Sequence, residues 1–252
     1  MADRVDTIAI VSAMSAELKP VLRALGLAGL NSGGAGISCG TYRGAKIVTA
    51  VTTMGLVAAQ RVTEELFARF GAEIDHLFVV GIAGANDPQL HIGDVLVPTF
   101  VVDARDGVQR YPVNLSDRDA CGIIYSTDQL GYSKEYVALL REKNVSLVDM
   151  ESGAIAAVCE RNNCPFTIVR AVSDRVDAHA QNYDVFGLAH ADGSPNYPAA
   201  IRYLLKKPWK VPYLVAMALG ASKAIGSAST ALVKAVDLFL EQNAGKGQSE
   251  SA

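Results

Sequence analysis

At 252 residues, half of them hydrophobic, the chain is long enough to bury a full core, and a single α/β domain of this size is ordinary. A formal charge of −3 and a sequence pI near 5.8 argue against a nucleic-acid binder, which carries a basic face. Cys39, Cys121, Cys159 and Cys164 show no ligand-like pairing, and the start M-A-D-R-V-D has no basic region leading into an apolar one, so a cytoplasmic protein without metal or cofactor is expected.

Thr7 to Val11 is a continuous apolar run and reads as an interior strand covered on both faces. Ser12 to Glu17 leads into a helix with Leu18, Val21, Leu22 and Leu25 on one face, Ser15 as N-cap and Glu17 in the first turn. A first-turn glutamate is ordinarily a solvated residue that favours the helix dipole. Gly33 to Gly36 is a flexible turn before a hairpin of Ile37 to Tyr42 and Lys46 to Val51. Thr52 to Gly55 opens an amphipathic helix through Phe70, stopped by Gly71. Neither glycine cluster matches a dinucleotide fingerprint or a P-loop, which disfavours NAD and ATP.

His76 to Val80 is another buried strand, ending in the small residues Gly81-Ile-Ala-Gly-Ala-Asn86. Such residues let backbone amides approach a ligand, and they also make ordinary tight turns. Leu90 to Val97 and Phe100 to Val102 read as a strand pair, Cys121 to Tyr125 as a strand, Tyr132 to Lys143 as a helix and Val145 to Val148 as a strand. Helical spacing then resumes near Met150 with Ala154, Ile155, Val158 and Cys159, breaks at Asn162-Asn163 and Pro165, and gives way to the β-rich run Phe166 to Val172.

This last element carries carboxylates at both ends: Asp149 and Glu151 where the helix begins, and Asp174 just past the strand. Acids in a first turn and an Asp after a strand are also common caps. In open α/β sheets, however, that strand edge is where ligands sit. Strands alternating with helices give a three-layer α/β/α sandwich with a mixed, largely parallel central sheet. A single domain is expected over residues 1–242, including an extra helical part at about 195–242, and a disordered tail over 243–252.

Four motifs carry a resemblance. S-A-M-S-A-E-L from Ser12, V-G-I-A-G-A from Val80, V-D-M-E-S-G-A-I-A from Val148 and V-R-A-V-S-D from Val169 resemble the methylthioadenosine/S-adenosylhomocysteine nucleosidases of the nucleoside phosphorylase superfamily. The similarity spans about residues 7–187. It implies a homodimer that hydrolyses an adenine nucleoside. Asp174 matches the general acid that protonates the leaving base, with Ser173 beside it. Glu151 matches the holder of the ribose hydroxyls, Met150 the residue under the sugar, and Glu17 the carboxylate that positions and deprotonates the attacking water. Met54, Ala83 and Gly84 match loop positions around sugar and base, Leu130 and Gly131 fall near the base-contacting loop, and Tyr183 matches the aromatic over the base. Breaking an N-glycosidic bond needs one acidic carboxyl and others that stay anionic, a division of labour shared with inverting glycosidases.

Departures from the superfamily pattern bear on the nucleophile. Its phosphorylases hold phosphate with an arginine loop and a Ser or Thr at the Gly-x-x-Gly strand end; here the loop is S-A-M-S-A-E-L and the strand end has Ile82. Water is therefore favoured over phosphate, with a phosphorylase as the alternative. Asp149 stands where bacterial nucleosidases usually have Glu, which leaves substrate choice open. A non-catalytic nucleoside-binding protein is a further alternative, against which the intact trio Glu17, Glu151 and Asp174 speaks. A short connection from Phe100 to Glu151 and the Asp192-Gly-Ser-Pro pattern are similar to the hopanoid-associated branch, which implies adenosylhopane as substrate class.

From Leu188 to Lys234 the chain carries Arg202, Lys206, Lys207, Lys210, Lys223 and Lys234 against the single acid Asp192, interleaved with Tyr203, Trp209, Tyr213 and Met217. The apolar run from Val211 to Leu219 looks too short to span a membrane. Two readings follow: helices packed on the domain or at a dimer contact, or an interfacial segment in peripheral membrane contact.

Overall fold

The computed structural model describes residues 5–29, 36–129, 133–179 and 196–249. The chain opens with β1 (Thr7–Ser12), α1 (Ser15–Ala24), the hairpin β2 (Ile37–Tyr42) and β3 (Ala45–Val51), α2 (Leu56–Phe70) and β4 (His76–Ala85). It continues through β5 (Val95–Leu96), β6 (Phe100–Asp103), β7 (Gln109–Arg110), β8 (Ile123–Ser126), α3 (Lys134–Glu142) and β9 (Leu147–Asp149). It closes with α4 (Ser152–Arg161), β10 (Phe166–Arg175), the short α5 (Val176–His179), α6 (Tyr197–Lys206), a 3-10 turn at Pro208–Lys210 and α7 (Val211–Ser249).

The sheet is mixed, in the order β2-β3-β1-β4-β9-β8-β6-β7, with β10 paired to β4 and β5. β4 is its hub. It runs parallel to β1 at its start, parallel to β10 along Leu77–Ala85, and antiparallel to β9 at Gly84 and Ala85. Alternation along the strands splits the core into two layers. Ala9, Val11, Leu77 and Val79 pack against α2 and α4, while Ile8, Ile10, Phe78 and Val80 pack against α1 and α7. The architecture expected from the sequence is the one observed.

Several local expectations are corrected. α1 is capped at Met14 rather than Ser15, because Glu17 reaches back to accept the Met14 N–H. Leu90 to Val97 does not pair with Phe100 to Val102: β5 pairs with β10, and β6 with β7 and β8. Asp174 lies within β10, not beyond it; the strand continues to Arg175 after a register shift between Val172 and Asp174. α4 starts at Ser152, two residues after Met150.

The C-terminal segment differs most. α7 is one helix of 39 residues that runs on to Ser249, through residues 243–249 where disorder was expected. Its second half is not an addition to the domain, since Ala224, Ala228, Leu232, Ala235, Val236 and Phe239 complete the core layer over Ile8, Ile10 and Phe78. Phe239 also closes a ring cluster with Phe78 and His76, and Tyr42 and Arg43 on the hairpin hold Asp237 at 3.0 and 2.8 Å. The span from Pro208 to Ala244 is also long and apolar enough to cross a membrane by composition, which overturns the length argument made from Val211 to Leu219 alone. Leu232 is fully buried in that layer, so Leu232→Ala is expected to destabilise the domain by about 2–5 kcal/mol, seen as a lowered urea midpoint at unchanged m-value.

Candidate active site

The site forms where β1, β4, β9 and β10 meet, around a cation that the sequence reading passed over. Arg170 is paired with Gly81 in the register of β10 against β4, and its side chain is 1% exposed. A buried guanidinium demands counter-charge. It finds Asp149 at 2.7 Å and Glu151 at 3.2 Å, both through Nη2, while Nε donates to the Ser152 hydroxyl at 3.2 Å. β9 supplies both acids because it enters antiparallel to β4 and ends at Asp149, alongside the middle of β10. Small residues make the fit possible: a Cβ on Gly81 would lie 2.1 Å from Arg170 Nη1 and 2.8 Å from Glu17 Oε1.

Asp149 is wholly occupied by this network. Oδ1 accepts the Ser126 hydroxyl, and Oδ2 accepts the Ser152 hydroxyl and N–H together with Arg170. It thus caps α4 and neutralises Arg170, and the Asp-for-Glu departure at this position lies behind the site rather than facing a ligand. Glu151, at the N-cap position of α4, reaches across to α2, where its Oε1 accepts the Gly55 N–H at 3.3 Å. Asp128 accepts the next α2 amide, Leu56 N–H, at 2.6 Å, so two carboxylates face one helix N-terminus.

Glu17 is 2% exposed, so it is not the solvated first-turn residue. Oε2 accepts the Ser12 hydroxyl at 2.7 Å and the Met14 N–H at 3.0 Å; Oε1 accepts the Ile82 N–H at 2.9 Å. Burial pushes its carboxyl above the usual range, opposed by the charge of Arg170 and by these three hydrogen bonds. Burial pushes Glu151 up to about 8, with Arg170 pulling it down and Asp149 and Glu17 pushing it further up. One guanidinium thus faces the carboxyls of Asp149, Glu151 and Glu17, a buried excess of acid around a single cation.

Asp174 faces the same region from the far side of the β10 bulge, which re-aims the strand at this point. It is half-buried and accepts the Ser173 hydroxyl. Ser173 also reaches the Ala83 carbonyl at 3.3 Å, and a Cβ on Gly84 would come within 3.3 Å of the Asp174 carboxylate. Ala83 and Gly84 therefore act as the floor on which the S-D pair rests. Met54 is 36% exposed and Met150 half-buried, beside Gly55 and Glu151 respectively. Leu130, Gly131 and Tyr183 lie outside the described residues.

To the residues given a role by the motifs, the structure adds three others from the same motifs, Arg170, Ser12 and Gly81, and ties Asp149 to Arg170. Arg170 had a signal, since a lone cation inside the run Phe166 to Val172 could not be solvated in a strand covered on both faces.

The chain is similar to known proteins along most of its length. A family model described as the phosphorylase superfamily matches residues 7–119 and 115–194. An aminodeoxyfutalosine nucleosidase from Helicobacter pylori is 27% identical over 210 residues, covering 71% of this chain and 90% of its own. A 5'-methylthioadenosine/S-adenosylhomocysteine nucleosidase from Halalkalibacterium halodurans is 31% identical over 192 residues, covering 64% and 82%. Among solved structures, the futalosine hydrolase of Helicobacter pylori superposes with a TM-score of 0.68 at 20% identity, over 92% of this chain and 98% of that one.

Two outcomes follow from the buried charges. Arg170→Met leaves Asp149, Glu151 and Glu17 without their cation and is expected to cost about 3–5 kcal/mol of stability by chemical denaturation. A carboxyl whose folded pKa is raised binds its proton more tightly in the folded state. The Glu151 contribution is therefore intact below its ordinary value of 4.5 and is lost as pH rises from there to about 8. Urea midpoints at pH 5 and pH 8 should fall further in the wild type than in Glu151→Gln.

Proposed function

Because the chain belongs to the phosphorylase superfamily, we propose that it is a nucleosidase that hydrolyses the N-glycosidic bond of a 5'-substituted adenine nucleoside to free adenine and a ribose derivative. Its relatives named as nucleosidases support this reading. The observation that carries it is the position of Glu17, buried with its carboxylate on the Ile82 N–H within strand β4. That amide is where an incoming nucleophile would need a donor, and a carboxylate holds it. With that amide already held by a carboxylate, an incoming phosphate would lack the donor it needs, whereas a water can be bound by the carboxylate itself.

In this mechanism Glu17 orients a water against the anomeric carbon and takes its proton. Its raised pKa makes it the stronger base for that step once ionised. Arg170 Nη1 has no hydrogen-bond partner among the described residues, and a water beside Glu17 would satisfy it. Glu151, fixed by Arg170 and the Gly55 amide, accepts the ribose hydroxyls, with Met150 and Met54 at the sugar. Asp174 donates a proton to the departing base, and the Ser173 hydroxyl steers its carboxyl. Leu130, Gly131 and Tyr183 complete the base side in this reading.

The proposal extends to a homodimer in the cytoplasm, with a peripheral membrane contact of the C-terminal segment. Cys39, Cys121, Cys159 and Cys164 are free thiols, as a reducing compartment allows.

Incubation with a panel of adenine nucleosides in phosphate-free buffer should release adenine and a free reducing sugar. A strict need for phosphate with a sugar 1-phosphate product would instead identify a phosphorylase, and absence of any base release would leave a binding protein. Glu17→Gln and Asp174→Asn should each lower kcat by about 10²-fold or more with modest change in KM. Glu151→Gln should raise KM as well, since it replaces one carboxyl oxygen facing the sugar with an amide N–H2 that cannot accept.

A further inference from the structure

The first half of α7 presents one apolar face that is exposed among the described residues. Val211, Val215 and Leu219 lie at i, i+4 and i+8 on one face and are 42%, 52% and 67% exposed. Leu205 at the end of α6 and Trp209 in the 3-10 turn continue the patch at 80% and 69%. Large apolar side chains grouped in this way on a soluble domain mark a contact surface. The opposite face of the same helix enters the domain at Gly220, where a Cβ would sit 2.7 Å from the Ser173 carbonyl, and is buried from Ala224 onward.

The charge around the patch selects its occupant. From Asn196 to Val236 there are six cations, Arg202, Lys206, Lys207, Lys210, Lys223 and Lys234, and no acid. Lys207 and Lys210 stand over the Tyr203 and Tyr213 rings at 5.3 and 5.5 Å, which keeps both ammoniums beside the apolar side chains. A second copy of the chain joined by a twofold axis would bring these same lysines against their equivalents. An acidic lipid surface instead complements them, and takes Trp and Tyr at headgroup depth.

Crossing the bilayer is a separate matter. The span from Pro208 to Ala244 has the length and hydropathy to do so. Ala224, Ala228, Leu232, Val236 and Phe239 are nevertheless core residues against the sheet, and withdrawing them would open the domain. The free part, from Val211 to Lys223, is about 20 Å of helix at 1.5 Å per residue, short of the ~30 Å hydrocarbon layer.

We infer that the surface made by Leu205, Trp209, Val211, Val215 and Leu219, ringed by Lys206, Lys207 and Lys210, docks shallowly onto an anionic phospholipid bilayer. The docked helix lies along the interface and leaves it at Gly220, which places the Ser173-Asp174 end of β10 close to the membrane surface. This deepens the membrane contact proposed above and does not depend on the hydrolytic reading, because lipid binding needs no turnover.

Trp209 is the single tryptophan of the chain, so its fluorescence reports this surface alone. With the full chain, vesicles of phosphatidylcholine plus phosphatidylglycerol should shift its emission to the blue, and shallow bromine-labelled lipids should quench it. Pure phosphatidylcholine should give little of either, and raising the salt should weaken both. Lys206→Glu/Lys207→Glu/Lys210→Glu should lower the partition coefficient by about 10²-fold or more, and Val215→Ser/Leu219→Ser should abolish the blue shift. Retained far-ultraviolet circular dichroism and unfolding midpoint show that these variants fold. No shift and no co-sedimentation with anionic vesicles at low salt would overturn the inference. So would a shift that needs no lipid, rises with protein concentration and coincides with a dimer mass by light scattering, which would assign the face to a second copy.

Discussion

Everything in the site depends on one ion cluster, the buried guanidinium of Arg170 and the acids arranged around it. A cation at the centre of a sheet is tolerated only if charges and hydrogen bonds replace the water it has lost. Asp149 and Glu151 take Nη2 and Ser152 takes Nε, so the guanidinium plane is fixed by β9 and the first turn of α4. The same contacts fix Glu151, which then has one oxygen on Arg170 and the other on the α2 amide at Gly55. Four elements are thus locked to one another by a group that contacts no surface. A cluster this acidic also explains how neighbouring carboxyls can serve different roles. Burial raises Glu17 and Glu151, and their hydrogen bonds differ: three donors reach Glu17, whereas Glu151 shares a single cation with Asp149. The environment of each acid, rather than its residue type, sets its protonation.

The sheet positions this cluster by strand direction. Parallel β1, β4 and β10 end on one edge, which delivers Glu17 and Asp174, while β9 runs against β4 and brings Asp149 and Glu151 in from the opposite side. Gly81 and Gly84 on β4 clear the space between them, one beneath Arg170 and one beneath Asp174. The bulge at Ser173 then turns Asp174 relative to the rest of β10, something a regular strand of alternating faces could not do.

Much of this was legible in the sequence, and the parts that were not have physical reasons. Continuous apolar runs such as Thr7 to Val11 and His76 to Val80 can only be doubly covered strands, and the carboxylates after them stood out because a core has no use for them. Burial of Glu17 was not legible, since a first-turn glutamate looks the same whether it faces water or a neighbouring strand. Pairing partners were misread for Leu90 to Val97 because short strands owe their partners to the sheet around them rather than to their own pattern. The bulge that keeps Asp174 inside β10 leaves no mark in residue type. Arg170 was legible in principle: its charge conflicts with the run that holds it, and such conflicts between local pattern and composition gather at functional sites.

α7 shows the same tension on a larger scale. It is one continuous helix of 39 residues, yet its two halves face different environments. From Ala224 onward, small residues alternate with Leu232, Val236 and Phe239, and this lets the helix lie close on β1 and β4. Before Gly220 the residues are larger, and at Gly220 itself the helix meets Ile92 and the Ser173 carbonyl near the end of β10. Hydropathy alone does not assign these environments, because it counts side chains without asking what lies opposite them. The distinction is made by size and by charge: small residues where a sheet must approach, and lysines with aromatic rings where none does. The change occurs at Gly220, against the carbonyl of Ser173, so the helix passes from core to exposed surface directly beside the residue whose hydroxyl donates to Asp174.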